Sequence, residues 1–256
     1  MTARRADQLL VTLQGGVLTG ALNRPEKKNA LDTPTIEALH ALLERADLDA
    51  DVRVVALRGA GQDFCAGMDL AELLASADRS VEENRGAALH FGELFVRMRT
   101  LPKPVVAVVR GRALAGGCGL ATACDIVVAA ESAQFGYPEV QRGFVPALVM
   151  NLLRRAVGEK VAFDLAATGR ILTATEAAAL GLVSRVYEDS DFEEQVADVL
   201  RALAASSASS LALTKQQFYR LEGLGFEQGI RLSADVNAVS RTTPDFRAAL
   251  SAFLKR

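Results

Sequence analysis

A run of small residues in the middle of the chain could bring backbone groups close to a ligand. Residues 104–125 contain an apolar strand, Val105–Val109, a loop rich in small residues, and a predicted helix start at Gly116-Gly117. Glycine has no Cβ, so the backbone can approach a bound group closely, and the first N–H groups of a helix have no partner within it. The stretch therefore predicts either a backbone binding site or a tight turn that needs glycine only for packing.

A weaker copy of this pattern lies earlier in the chain. Residues 54–59 resemble residues 105–111, and each apolar run precedes a small-residue pair at a predicted helix start, Ala66-Gly67 or Gly116-Gly117. Two such units could present two backbone N–H groups side by side, an arrangement that stabilises negative charge on a carbonyl oxygen. Coincidence between two α/β units would give the same pattern, and the residues alone favour that interpretation.

Glu139 is the carboxylate best placed for acid–base chemistry, because it follows Tyr137-Pro138 in an apolar neighbourhood near a predicted sheet edge. Burial there would raise its pKa and would let the carboxyl group exchange a proton near neutral pH. The alternative is a solvated glutamate that stabilises a helix start through the helix dipole, and the residues alone favour this alternative. Asp69 and Asp125 could equally be structural residues at a helix start and a strand edge.

Several other kinds of site are not supported by the sequence. The cysteines form no C-x-x-C pair, and only two histidines occur, His40 and His90, so we expect neither a metal site nor a Ser-His-Asp triad. We expect both histidines at the surface or in packing. The sequence contains no P-loop, complete dinucleotide-binding fingerprint or nucleophile elbow. A net charge of −2, from 29 basic and 31 acidic residues, gives no case for nucleic-acid binding.

The predicted elements alternate between strands and helices over the first two thirds of the chain, which indicates an α/β core. Apolar runs on either side of Gly15-Gly16 predict a β-hairpin, and Asp32 or Thr33 could cap the helix that follows. Further strands are predicted at residues 52–57, 105–109, 126–129, 133–135 and 182–187, and helices at residues 80–101, 147–157, 159–167 and 175–180.

From Asp191 the pattern is helical to the end of the chain, with interruptions near residues 206–210, 223–225 and 242–244. We therefore divide the chain into an α/β core, residues 1–190, and a helical C-terminal region, residues 191–256. This region is predicted to act as a lid on the core or as an oligomerisation element.

Composition predicts a soluble protein with a sizeable core, because half of the 256 residues are hydrophobic. The polar residues Met1–Asp7 lead directly into a strand without an apolar signal region. No uncharged apolar run reaches the roughly 18 residues that a membrane-spanning helix needs. Three cysteines without a disulfide pattern suit a reducing compartment, so we expect a cytoplasmic protein that does not span a membrane.

Taken together, four segments make the chain resemble the enoyl-CoA hydratase/isomerase (crotonase) superfamily. Their order and spacing are more specific than any one of them, and the resemblance covers essentially the whole chain. The segments are Asn23-Arg24-Pro25 with Lys28-Asn29-Ala30-Leu31, then Phe64-Cys65-Ala66-Gly67-Met68-Asp69-Leu70, then residues 103–125, and then Phe135-Gly136-Tyr137-Pro138-Glu139-Val140 with Gly143 and Pro146.

The resemblance implies an α/β spiral of strand–strand–helix repeats, followed by a helical C-terminal region that forms homotrimers or dimers of trimers. It implies an acyl-CoA thioester as substrate and no further cofactor. The amides of Ala66 and Gly116 would hold the thioester oxygen, with Glu139 as acid and base. Basic residues of the first loop, or Lys255 of a neighbouring chain, would meet the CoA phosphates. The implied substrate-binding residues are Lys28, Ala30, Ala66, Gly67, Met68, Asp69, Leu70, Gly116 and Gly119.

Two departures from the family pattern bear on the reaction. Two-carboxylate hydratases of the family place a second glutamate at the position of Gly119, and residues 146–149 replace a glycine-rich stretch that is common in ordinary hydratases. A further acid found in some dienoyl isomerases would fall on Ala147. The first hypothesis is hydration of a 2-enoyl-CoA by Glu139 alone. Double-bond isomerisation by the same residue and non-catalytic binding of acyl-CoA remain as alternatives.

Overall fold

The computed structural model describes residues 7–255, which form two β-sheets with helices packed around them. Of the polar segment Met1–Asp7, only Asp7 lies within the described residues. The strands are β1 (Leu9–Gln14), β2 (Val17–Leu22), β3 (Val54–Gly59), β4 (Val105–Val109), β5 (Arg112–Leu114), β6 (Ile126–Ala130), β7 (Gln134–Gly136), β8 (Ile171–Thr173) and β9 (Arg185–Tyr187).

Eleven α-helices and three short 3-10 helices complete the described part of the chain. The α-helices are α1 (Thr33–Leu48), α2 (Leu70–Ala75), α3 (Val81–Thr100), α4 (Gly116–Ala123), α5 (Ala147–Val157), α6 (Glu159–Thr168), α7 (Ala174–Ala179), α8 (Phe192–Ala205), α9 (Ala208–Arg220), α10 (Phe226–Ser240) and α11 (Pro244–Leu254). The 3-10 helices are Pro25–Lys27, Ser76–Asp78 and Pro138–Arg142.

The larger sheet has the strand order β1-β2-β3-β4-β6-β9, and all its pairs are parallel except the β1–β2 hairpin. The smaller sheet has the order β5-β7-β8, with β5 and β7 parallel. The chain passes from a strand of the larger sheet to one of the smaller sheet and then into a helix, as in β4–β5–α4. This alternation is the predicted spiral of strand–strand–helix repeats.

Alternate residues of the central strands pack into two different hydrophobic clusters. In β3, Val55 and Leu57 join the main core with α1 and α3, whereas Val54 and Ala56 pack with Phe192 of α8. Successive side chains of a strand point to opposite faces, and a parallel sheet covered on both faces reads as a continuous apolar run. Helices on both sides of the sheet therefore explain why β3 and β4 show no alternation of polar and apolar residues.

Most predicted elements are present, with bounds shifted by a few residues. The hairpin turns at Gly15-Gly16, and Asp32 caps α1 by accepting a hydrogen bond from the Thr35 N–H at 2.9 Å. The strand predicted at 182–187 forms only over Arg185–Tyr187. The sequence did not predict β5 or β8, because three residues are too few to show a period.

The first helix of the C-terminal region, α8, packs against the sheet of the core. Phe192, Val196 and Val199 of α8 are buried against the larger sheet. The boundary that we drew between residues 190 and 191 therefore passes through a shared hydrophobic cluster, because α8 packs against β3, β4 and β6. Helices α9 to α11 carry exposed apolar side chains, including Phe218, Phe226 and Phe253.

A buried ion pair joins α9 to Asp125, the residue that precedes β6. Lys215 of α9 is only 8 % exposed, and its Nζ lies 2.7 Å from Asp125 Oδ2. The same ammonium group donates to the carbonyl oxygens of Met98 at 2.7 Å and Lys103 at 2.9 Å, and the Tyr219 hydroxyl donates to Asp125 Oδ1 at 2.8 Å. Burial lowers the pKa of Lys215, and the Asp125 carboxylate opposes that shift.

Within residues 7–255, no single helix is long and apolar enough to cross a membrane. The helices α8 and α9 meet the criterion of length and composition only as a pair, and the pair is bent by 100°.

Replacing Lys215 by methionine tests the role of this ion pair. Lys215→Met keeps most of the side-chain volume but leaves the Asp125 carboxylate without its counter-charge in a partly buried site. We expect the free energy of unfolding in urea to fall by about 3–5 kcal/mol. The control is Arg231→Met, which removes an exposed ion pair with Glu227 and should change stability by about 0.5 kcal/mol or less. Equal losses in the two variants would contradict a stabilising role for Lys215.

Candidate active site

The segment from Cys65 to Asp69 is joined to β5 by one isolated bridge. Cys65 lies opposite Ala113 in a parallel bridge. The Cys65 N–H donates to the Arg112 carbonyl at 2.9 Å, and the Cys65 carbonyl accepts from the Leu114 N–H at 2.9 Å. Parallel pairing keeps the two chains in register, so residues at equal distances beyond the bridge lie near each other.

On its other side, the same segment pairs with the first loop. The Leu31 N–H donates to the Gly67 carbonyl at 2.8 Å, and the Asp69 N–H donates to the Leu31 carbonyl at 2.8 Å. The Ala66 N–H donates to the Lys28 carbonyl at 3.0 Å. Because this bond already uses the Ala66 amide, the prediction of Ala66 as a donor to a ligand is wrong in this geometry.

The amides of Met68 and Gly116 take the place of the pair that we predicted. Met68 is three residues beyond Cys65, as Gly116 is three residues beyond Ala113, and the ideal Cβ position of Gly116 lies 3.7 Å from the Met68 nitrogen. Neither N–H donates to an acceptor within the described residues. Two unpaired N–H groups side by side can bind one carbonyl oxygen.

Unusual backbone conformations hold these two amides in place. Gly67 has φ +99°, and a Cβ there would lie 2.9 Å from Ala115 Cβ and 3.3 Å from the Gly116 nitrogen. Ala115, just before α4, has φ 50° and ψ −126°, which is costly for a residue with a side chain. Its N–H donates to the Gly136 carbonyl at 2.8 Å, so the β5–β7 pairing supports the strained turn.

Strand β7 brings Glu139 to the start of α4, where the Gly116 amide lies. Leu114 of β5 pairs with Gly136 of β7, so the residues that follow these two strands lie next to each other. Gly116 begins α4 two residues after Leu114, and Glu139 lies three residues after Gly136 in the 3-10 helix Pro138–Arg142. The smaller sheet thus places a carboxylate beside the start of α4.

Glu139 is a buried carboxylate, in contrast to the solvated residue that its sequence context favoured. Its residue surface is 7 % exposed, and its Oε2 atom is buried without a hydrogen-bond partner among the described residues. Burial raises the pKa of Glu139, while a hydrogen bond to its own backbone and the charge of Arg142 oppose the shift. A raised pKa makes the carboxylate a stronger base, which suits Glu139 to taking and giving a proton.

An apolar wall lies next to the two amides. Phe91 Cε1 and Met68 Cγ are each 3.7 Å from the ideal Cβ position of Gly116. At Gly119, one turn further along α4, that position is occupied by the side chain of Val149, whose Cβ is only 2.9 Å away and whose Cγ1 is closer. The direction in which a side chain at position 119 would point is filled, so the structure places Gly119 in a packing contact between α4 and α5.

The remaining predicted binding residues surround the site in different ways. Lys28 is exposed in a left-handed backbone conformation (φ 54°), and Leu70 is 62 % exposed. Ala30 is buried, and its carbonyl accepts from Arg24 at 2.7 Å. The Asp69 carboxylate caps α2 and pairs with Arg24 at 2.8 Å, a bond that lowers the pKa of Asp69. Asp69 therefore positions the loop, with Arg24 as a partner that sequence reasoning missed.

Thiol, imidazole and metal chemistry find no support at this site. Burial raises the pKa of the Cys65 and Cys118 thiols to about 12, so neither is a thiolate at neutral pH. His40 and His90 stack on each other with ring centroids 4.5 Å apart, between α1 and α3, in the packing role that we predicted. No cluster of three or more His, Cys, Asp or Glu side chains suited to a metal ion occurs in residues 7–255.

A family model described as enoyl-CoA hydratase/isomerase matches residues 12–256. The chain belongs to the enoyl-CoA hydratase/isomerase family. A Thermus thermophilus protein named "Putative enoyl-CoA hydratase" is 44 % identical over 95 % of this chain and 96 % of its own length. The 2,3-dehydroadipyl-CoA hydratase of Escherichia coli is 32 % identical over 97 % of this chain and 96 % of its own.

Solved structures show the same fold. The crystal structure of an enoyl-CoA hydratase from Mycobacterium smegmatis superimposes with a TM-score of 0.92 at 32 % identity, covering 97 % of this chain and 96 % of that one. An enoyl-CoA hydratase from Bacillus anthracis gives a TM-score of 0.90 at 31 % identity, with 97 % and 96 % covered. The crotonase-like fold predicted from the four sequence segments is confirmed.

Compared with the pattern of the enoyl-CoA hydratase/isomerase family, the two departures in this chain form one structural feature. Gly119 stands where two-carboxylate members carry a glutamate, and Val149 lies in the stretch that is glycine-rich in ordinary hydratases. Val149 occupies the volume that a side chain at position 119 would enter. Val149 and a larger side chain at position 119 therefore could not share this volume without a shift.

The raised pKa of Glu139 predicts how stability changes with pH. The folded protein binds this proton more tightly than the unfolded chain does, so the contribution is fully present below the ordinary pKa of 4.5 and is lost as pH rises through the folded-state pKa. We expect Glu139→Gln to have a higher melting temperature than the wild type at pH 7. The difference should shrink when both proteins are compared at pH 4.

The exposed Glu194 of α8 provides a matched control for this experiment. Glu194→Gln should leave the melting temperature nearly unchanged at both pH values. A lower melting temperature for Glu139→Gln at pH 7 would show that the Glu139 charge is stabilised in the folded protein.

Proposed function

We propose that this protein is an enoyl-CoA hydratase, which adds water across the double bond of a 2-enoyl-CoA thioester. The observation that carries the proposal is the buried, unpartnered carboxylate of Glu139 beside the unpaired amides of Met68 and Gly116. Membership of the enoyl-CoA hydratase/isomerase family and the hydratase names of several relatives support the same reaction.

The two amides would act on the thioester carbonyl. When water adds to Cβ, negative charge develops on the carbonyl oxygen as the thioester becomes an enolate. Donors already aimed at that oxygen lower the barrier, and each is worth roughly 3 kcal/mol in comparable oxyanion holes. Because the donors of Met68 and Gly116 belong to the backbone, they are held by the pairing of residues 65–69 with β5.

Glu139 would perform both proton transfers. Its carboxylate accepts a proton from water as the water oxygen forms a bond to Cβ. The resulting carboxylic acid then returns this proton to Cα, and the enolate collapses to the 3-hydroxyacyl-CoA. One molecule of water is consumed and Glu139 returns to its ionised form, so the reaction needs no second acid at position 119.

The rest of the chain would bind coenzyme A and assemble subunits. We assign residues 28–30 and 66–70 to the CoA moiety, with exposed Lys28, and Lys255 of a neighbouring chain, available for its phosphates. The exposed apolar residues of α9 to α11 support a homotrimer or a dimer of trimers. We also propose a cytoplasmic location and a reaction without a cofactor other than the CoA of the substrate.

Isomerisation of the double bond by Glu139 is the alternative for the same site, and the names of the relatives do not favour it. Incubation with trans-2-butenoyl-CoA and with trans-3-hexenoyl-CoA, followed by chromatographic separation of isomers and mass spectrometry, separates the two reactions. A hydratase converts the 2-enoyl thioester to a product heavier by one water, whereas an isomerase converts the 3-enoyl thioester without a change in mass. Tight binding without any turnover would instead indicate a non-catalytic binder.

Glu139→Gln tests the proposed acid and base. The amide cannot accept the proton of water, so we expect kcat for hydration to fall about 100-fold or more. The Kd for butanoyl-CoA, a saturated thioester that cannot react, should change little, because the oxygen is bound by Met68 and Gly116. In the wild type, kcat/KM should rise with pH through the raised pKa of Glu139, since the ionised form starts the reaction. Unchanged hydration in Glu139→Gln would refute its role.

Gly67→Ala tests the pair of amides. The added methyl group would meet Ala115 and the Gly116 nitrogen and would strain a backbone at φ +99°. We expect kcat to fall about 100-fold, the effect of losing one oxyanion donor. The control is Gly86→Ala in α3, where a Cβ meets nothing within 4 Å, and its activity should match the wild type. Wild-type activity in Gly67→Ala would argue against these donors.

A further inference from the structure

The contact between Gly119 and Val149 lies one turn along α4 from the Gly116 amide. The Val149 side chain fills the Cβ direction of Gly119, and Phe95 Cζ of α3 lies 3.7 Å from the same position. Val149 is 4 % exposed and Phe95 is 6 % exposed, so both are fixed in the core. Close-packed interiors adapt poorly to added volume. Position 119 is therefore bounded by a rigid apolar wall from two different helices.

Helix geometry places this wall beside the carbons that react. Gly116 and Gly119 are three residues apart on α4, so they share a face of the helix about 4.5 Å apart along its axis. With the thioester oxygen on the Gly116 amide, the neighbouring carbons of the acyl group lie within about one helical turn of that oxygen. The wall of Val149 and Phe95 would then lie beside Cα and Cβ of the substrate.

We propose that Val149 is a specificity-determining residue, which limits the substrate to acyl groups that are unbranched at the carbons next to the thioester carbonyl. The proposal rests on the proposed function, because it places an acyl thioester on the amides of Met68 and Gly116. A methyl branch at Cα would need volume that Val149 and Phe95 already occupy. One methyl group in an apolar pocket changes kcat/KM by about 10- to 200-fold. We expect the discrimination against a branched substrate to lie in this range.

The test compares trans-2-butenoyl-CoA with its 2-methyl derivative. The wild type should prefer the unbranched thioester by about 10-fold or more in kcat/KM. Val149→Ala removes two methyl groups from the wall and should raise the ratio of branched to unbranched kcat/KM by about 10-fold. The control is Val157→Ala, which makes the same change in the same helix at a partly buried position that packs against the core. Its ratio of branched to unbranched kcat/KM should stay near that of the wild type.

A second variant enlarges the same space from another element. Phe95→Leu shortens the side chain that α3 contributes. It should shift the ratio of branched to unbranched kcat/KM in the same direction as Val149→Ala. With two variants, the test remains decisive if one of them is unstable. An unchanged ratio in the folded variants would overturn the proposal, as would an equal shift in Val157→Ala.

Binding of saturated thioesters separates this inference from the proposed reaction. The Kd values of butanoyl-CoA and 2-methylbutanoyl-CoA, measured by calorimetry, require no turnover. If no variant hydrates any enoyl-CoA, the proposed function fails. The inference about Val149 still stands if Val149→Ala gains about 10-fold in relative affinity for the branched thioester, and it falls if the relative affinity is unchanged.

Discussion

The pairing of residues 65–69 with β5 is the constraint on which the rest of the site depends. Two backbone hydrogen bonds at Cys65 set the register that brings the Met68 amide next to Gly116. A slip of one residue would place a different amide there and would turn the side chains of the segment to the opposite face. The first loop fixes the segment from the other side, and the ion pair between Arg24 and Asp69 holds the two together. The buried polar residues of these segments therefore serve mainly to hold the backbone in position.

The second requirement is a carboxylate kept away from water. The β5–β7 pairing carries Glu139 to the start of α4, where its Oε2 atom has no partner among the described residues. Such burial disfavours the charged form, so the property that would make Glu139 a useful base also makes the folded protein less stable at neutral pH. The site combines this unsatisfied group with two unsatisfied amides. A substrate carbonyl and a water molecule would satisfy all three at once.

The sequence was sufficient for the fold, and it drew attention to Gly116 and Glu139 because each lies in a recognisable segment. It failed for the partner of Gly116. Backbone donors need no particular side chain, so only the register of a bridge distinguishes Met68 from Ala66, two residues away. The burial of Glu139 and the contact between Gly119 and Val149 depend on elements that meet only in the folded chain. The Gly119–Val149 contact spans thirty positions and carries no local pattern.

That same contact restricts the routes by which the site can evolve. If Gly119 is replaced by glutamate while Val149 is present, the intermediate is overpacked. If Val149 is first replaced by a smaller residue, the intermediate contains only a cavity. Overpacking and cavities both reduce stability, but a cavity leaves the backbone of α4 where it is, so the amide of Gly116 survives. The two substitutions are therefore epistatic, and the order in which they arise matters. As long as Val149 is present in α5, position 119 has no room for a second carboxylate.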